Sequence, residues 1–164
     1  MISSAMNTKL NEQVTAEFAA SHKYLSMACA FERMGLKNLK ARFLKQFQEE
    51  TGHAMKILRF VEEVGGTVAV DAVPKPQGDF QSALAIAEAA VASEVAITKR
   101  IHDIVALAIN EKDYTTQSFM QWFVNEQVEE ISTMTDIQTW VRLAGQNLLQ
   151  ADSMVRHSME ASRP

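Results

Sequence analysis

The chain has 164 residues, 47% of them apolar and 22% charged, and a formal net charge of −4. That balance excludes an intrinsically disordered chain and a strongly basic surface for nucleic acid, and no apolar run reaches the roughly 18 residues of a membrane-spanning helix. With 6 Gly and 3 Pro there are too few turn formers for many short strands, and a few long helices are the natural alternative.

Taken in chain order, the apolar residues recur at helical spacing between a few breaks at Gly35, Gly65-Gly66, Pro74, Pro76, Gly78 and Gly145. The pattern predicts helices over 5–34, 37–64, 80–110 and 116–143, and a short fifth helix over 146–158. The first stripe is Leu10, Val14, Glu17, Ser21, Tyr24, Ala28 and Phe31. The second is Leu36, Phe43, Phe47, Glu50, Ala54, Ile57 and Val61. The third runs Leu84, Ala87, Val91, Glu94, Thr98, Ile101, Val105, and the fourth Met120, Phe123, Gln127, Glu130, Met134, Ile137, Val141. Four stripes of similar length predict an all-α, four-helix bundle.

The first-to-second and third-to-fourth connections are short, which makes those pairs antiparallel. The connection over 67–79 has 13 residues, a reach of roughly 43 Å when extended. It can therefore run the length of the bundle and make the second and third helices parallel, either as an ordered traverse or as a slack surface loop. The lone Cys29 forms no intrachain disulfide, and the start of the chain has no charged-then-apolar leader. The cytoplasm, a reducing compartment, is the simplest location.

Each stripe carries a polar intruder near its middle: Glu17, Glu50, Glu94, and the pair Gln127 and Glu130. Midpoints of similar helices meet at one level whatever their direction. His53, three residues after Glu50, projects from the same face. Several buried carboxylates repel one another, and no Lys or Arg lies on the inner stripes beside them. A multivalent metal is the remaining compensator, and oxygen ligands with one imidazole suit iron or manganese better than a closed zinc site. Glu49, Glu126 and Glu129 flank these positions, as an ordinary solvated face or as a further, weaker cation site. Tyr24 is either a core aromatic or a hydrogen-bond donor to the carboxylates and an electron donor. Trp122 lies near the same level, whereas His22, His102 and His157 read as surface residues. Gly52, inside the second helix, is either tolerated or a point of close backbone packing.

The segments NEQVTAEFAASHKYLSMA, FQEETGHAMKIL, ASEVAITKRI and FMQWFVNEQVEE, in this order, resemble the haem-free bacterial ferritins over about residues 5–158. The resemblance implies one ferritin-like di-iron domain over 1–164, with one long crossover and a short C-terminal helix. It implies an intrasubunit ferroxidase centre in which Glu17, Glu50 and His53 hold one iron and Glu50, Glu94 and Glu130 the second. Glu50 bridges, Gln127 is a hydrogen-bonding neighbour and Tyr24 stands beside the centre. Glu49, Glu126, Glu129 and Glu130 match a third iron site. Fe(II) would be oxidised by dioxygen or hydrogen peroxide and stored as ferric oxide mineral in a cage of 24 copies, without nucleic-acid or membrane partners.

Thr51 follows Glu50 where bacterioferritins carry their haem-binding Met, so no haem is expected. Gln117 and Met120 occupy the positions of the acidic three-fold pore residues of animal ferritins. The competing classes are a di-iron oxidase or oxygenase of an organic substrate and a non-catalytic structural bundle.

Overall fold

The computed structural model describes residues 2–161. They form α1 (Ser4–Arg33), α2 (Lys37–Glu63), α3 (Ala83–Glu111), α4 (Tyr114–Ala144) and α5 (Leu148–Ala161), and no strand occurs among the described residues. The expected boundaries hold to within three residues.

The directions of the helices follow from who packs with whom. One apolar cluster joins Phe31 and Ala28 late in α1, Leu39 and Phe43 early in α2, Ile86 early in α3 and Val141 late in α4. The other joins Leu10 and Val14 early in α1, Ile57 and Val61 late in α2, Ile101 and Ile104 late in α3 and Met120 early in α4. Thus α1 and α2 run antiparallel, as do α3 and α4, while α2 and α3 are parallel. Between these two apolar halves lies the level of Glu17, Glu50, Glu94 and Glu130, all buried.

The crossover is an ordered traverse along α1. Asn7 and Asn11 donate to the Thr67 carbonyl at 3.1 and 2.9 Å, and the Thr67 and Ala69 amides donate back at 2.8 and 2.7 Å. At its far end Ser26 donates to the Gln77 carbonyl at 2.6 Å and Arg33 to that of Gly78 at 2.9 Å. Gly66 opens the traverse where a Cβ would lie 2.5 Å from Asn7 Oδ1 and 2.8 Å from Val61 Cγ1, so only glycine fits there.

Two of the expected stripes need correction. On α3, Ala87, Glu94 and Ile101 of the expected stripe are buried, but Leu84, Val91, Thr98 and Val105 are only half-buried, and Ile86, Ala90, Ile97 and Ile104 are buried beside them. On α2, Gln46 is buried and Phe47 only half-buried. On α3 several apolar residues compete for the core and periodicity alone does not choose between adjacent ones; on α2 the buried position goes to Gln46, whose amide bonds Glu50 and Glu130. Met120 is fully buried, so it belongs to the core and not to a pore lining.

Helices α1, α3 and α4 are capped by Ser3, Ser82 and Asp113, each accepting from an amide of its own first turn. Helix α2 has no such residue. Its cap comes from α5: buried Asp152 accepts from the amides of Asn38 at 3.0 Å and Leu39 at 2.8 Å, and from the Asn38 side chain at 2.7 Å. Asp152→Ala is therefore expected to lower stability by about 1–2 kcal/mol, with Asp152→Asn close to wild type because Asn also caps well. Chemical denaturation of the three proteins checks this.

Candidate metal centre

The polar level is built by one carboxylate from each long helix. Glu17, Glu50 and Glu94 are at most 1% exposed, and Glu130 is 5% exposed. Oxygen and nitrogen atoms of Glu17, Glu50 and His53 lie within 4.8 Å of one another, as do carboxylate oxygens of Glu50, Glu94 and Glu130. Glu50 belongs to both groups. A third group joins His53, Glu126 and Glu130. Each is compact enough to hold one cation.

Protonation and hydrogen bonds relieve the repulsion among these carboxylates. Burial and then the neighbouring Glu50 charge push the Glu17 carboxyl well above its ordinary value. Burial and the same charge raise Glu94 to about 7, and burial with the Glu94 charge raises Glu130 to about 8. Burial also opposes ionisation of Glu50, but hydrogen bonds from His53 and other neighbours outweigh it and hold this carboxyl below its ordinary value. Burial works against a charge on His53 too, and is outweighed by the hydrogen bond and charge of Glu50, whose Oε2 lies 3.5 Å from His53 Nδ1. One ionised carboxylate and one imidazolium therefore sit among acids that tend to stay protonated.

Neutral donors complete the frame. Tyr24 donates its hydroxyl to Glu94, and burial followed by the Glu94 charge raises the phenol pKa well above its ordinary value. Gln127 Nε2 lies 3.2 Å from Glu94 Oε2 and 3.0 Å from the Thr98 hydroxyl, matching the hydrogen-bonding place expected for it. Two further glutamines escaped the sequence reading. Gln13 donates to Glu17 at 2.7 Å, and Gln46 donates to Glu50 at 2.9 Å and to Glu130 at 2.6 Å. Each stands one turn before its glutamate, a Gln-x-x-x-Glu spacing present in both α1 and α2 that carried the signal.

The expected flanking set is only partly assembled. Glu126 joins Glu130 and His53. Glu49 instead faces Arg42 and Lys45, each at 3.1 Å, and Glu129 is exposed. The spacing of acids along α4 placed them on one edge, but the two basic residues of α2 that draw Glu49 away lie off the stripes.

Among the aromatic neighbours, Phe123 is buried with its ring 5.9 Å from that of His53. Trp122 is 39% exposed, with its ring 5.5 Å from the His53 ring and Lys56 Nζ 3.6 Å from its centroid. His22, His102 and His157 are exposed. A Cβ on Gly52 would meet nothing within 4 Å, so close packing within the chain does not require glycine there. Gly52→Ala is expected to raise stability by roughly 1 kcal/mol in denaturant titrations.

A family profile described as a ferritin-like domain matches residues 7–143. A bacterial non-heme ferritin of Staphylococcus epidermidis is 35% identical over 133 residues, 81% of this chain and 80% of that protein. That of Staphylococcus aureus is 33% identical over 132 residues, 80% of each. Among solved structures, an open-pore ferritin of the hyperthermophilic archaeon Archaeoglobus fulgidus superposes with a TM-score of 0.92 at 41% identity, covering 96% of this chain and 97% of that one.

Proposed function

Because the chain belongs to the ferritin family, we propose that it stores iron, acting as a ferroxidase: Fe(II) is oxidised at the four-helix carboxylate centre and deposited as ferric oxide mineral inside a protein cage. The observation that carries this reading is the pair of ligand groups that share Glu50. Two Fe(II) ions are the substrate, and dioxygen or peroxide is the oxidant.

In this reading Glu17, Glu50 and His53 bind one ion and Glu50, Glu94 and Glu130 the other, with Glu50 between them. Anionic oxygen ligands favour Fe(III) over Fe(II) because they stabilise the higher charge. Gln127 and Tyr24 orient Glu94, and Gln13 orients Glu17, as hydrogen-bonded neighbours of metal ligands do. His53, Glu126 and Glu130 form an outer position through which oxidised iron leaves, with exposed Glu129 beyond it. Glu49 joins this route when it exchanges Arg42 and Lys45 for a cation. Tyr24 also supplies an electron. Tyr24→Phe is then expected to change the ratio of iron oxidised to oxygen consumed, read with an oxygen electrode. An unchanged ratio with unchanged kinetics would leave the hydroxyl with its hydrogen bond to Glu94 alone.

A homo-oligomeric cage, of 24 subunits, is supported by membership of the ferritin family. No described helix is long and apolar enough to cross a membrane; a cytoplasmic location is part of the proposal. The test is aerobic oxidation of two Fe(II) per subunit, with particle mass measured by light scattering on the same sample. Rapid oxidation on a particle of about 24 chains is expected. Oxidation no faster than in protein-free buffer would overturn the reading.

A further inference from the structure

Gln46 is fully buried one turn before Glu50. Its single amide nitrogen donates to two carboxylates on different helices, Glu50 Oε1 at 2.9 Å and Glu130 Oε2 at 2.6 Å. Its own carbonyl oxygen is buried with no partner. Leucine would fill a similar volume without that unsatisfied acceptor, so the compensation for glutamine lies in its two donated bonds. One of them ends on the carboxylate common to the inner group with Glu50 and Glu94 and the outer group with His53 and Glu126. A carboxylate changes partners by turning about its terminal bond. While Gln46 holds Glu130 Oε2 beside Glu50, that turn is restrained.

We propose that Gln46 is a positioning residue that keeps the Glu130 carboxylate on the inner cation position and releases it to the outer one, so that it sets how cations divide between the two. This rests on the metal-centre reading above. The hold is a buried hydrogen bond from a neutral amide, able to orient the carboxyl and weak enough to yield as the cation moves outward. Gln13 is the internal comparison, since it holds Glu17, which belongs to neither the outer group nor the group of Glu94.

Zn(II), which undergoes no redox change, is the probe. Anomalous scattering from Zn(II)-soaked crystals gives the occupancy of each position, and calorimetry gives the affinities. In wild type, Zn(II) is expected beside Glu17 and beside Glu94. In Gln46→Leu the occupancy beside Glu94 should fall and that beside Glu126 rise, with inner affinity weakened roughly 10- to 100-fold, the usual effect of losing a ligand's hydrogen-bonding partner. Gln46→Asn, one methylene shorter, retains polarity but withdraws the amide, and should shift occupancy in the same direction. Gln13→Leu should weaken only the position beside Glu17. A general loss of stability would lower all occupancies together and move no Zn(II) outward.

The same division of Zn(II) in wild type, Gln46→Leu and Gln46→Asn would overturn the proposal while leaving the metal centre intact. Absence of Zn(II) and anaerobic Fe(II) binding in wild type would overturn the metal-centre reading itself.

Discussion

Replacing Glu50 by Ala is expected to abolish the rapid phase of aerobic Fe(II) oxidation. The reason is topological as much as chemical: this carboxylate belongs to both inner ligand groups, so its loss removes a ligand from each and the bridge between them. Loss of an outer hydrogen-bonding partner typically costs 10- to 100-fold in metal affinity or activity, and loss of a shared ligand should exceed about 100-fold. Glu130→Ala removes a ligand from one inner group and from the outer group, and should retain a single-ion affinity at Glu17 and His53. Stopped-flow absorbance at two Fe(II) per subunit distinguishes these profiles. Oxidation in Glu50→Ala at the wild-type rate would place the chemistry elsewhere. Removing Glu50 also strips His53 of its anionic partner, so the metal-free variant should hold that imidazole neutral at a lower pH than wild type does.

The second large effect is on pH. Glu94 and Glu130 have folded-state pKa values of about 7 and about 8 against an ordinary 4.5, and that of Glu17 is raised as well. The folded chain therefore binds more protons than the unfolded chain from about pH 4.5 up to about pH 8, and stability must fall as pH rises through that window. His53, with its pKa held above 6.5, acts in the same direction: its contribution is present below 6.5 and is lost as pH rises through its folded value. Glu50 acts oppositely, but only as pH drops below its unfolded value of 4.5. Metal-free protein should be most stable in mild acid and lose stability by on the order of a few kcal/mol by pH 8 as Glu94 and Glu130 ionise.

A bound divalent cation takes over the role of the protons and should flatten this profile. Binding near pH 6.5 should release protons, and the release should shrink above pH 8. Thermal denaturation with and without Zn(II) measures the first effect. Calorimetry in buffers of different ionisation enthalpy measures the second. A pH-independent melting temperature for the metal-free protein would contradict the clustered buried acids.

Much of this was legible in the sequence because two periodicities reinforced each other. Every expected stripe residue of α1 and α4 is buried, although α1 also buries Met6, Asn11, Gln13, Ala20, Met27 and Ala30. The charged intruders then marked a common level, and Glu17, Glu50, His53, Glu94 and Glu130 meet there. On helix α3 the sequence places Ala87, Glu94 and Ile101 correctly but leaves out their buried neighbours Ile86, Ala90, Ile97 and Ile104, because its apolar surface is broader than one stripe. Gln46 was passed over for the larger Phe47, although only the glutamine has carboxylates to satisfy its amide. The Asp152 cap was illegible for a different reason: it joins positions more than 110 residues apart, and no local pattern announces such a contact.

The crossover fixed at both ends of α1 works as a ruler. One turn of helix advances 5.4 Å, more than the 4.8 Å that encloses each group of ligand atoms. A slip of α3 by one turn against α1 and α2 would therefore dismantle the centre while leaving the apolar halves able to repack. Asn7 and Asn11 at one end, and Ser26 and Arg33 at the other, tie the span between α2 and α3 to a fixed length. What looks like surface trim is the gauge that brings Glu94 to the height of Glu50.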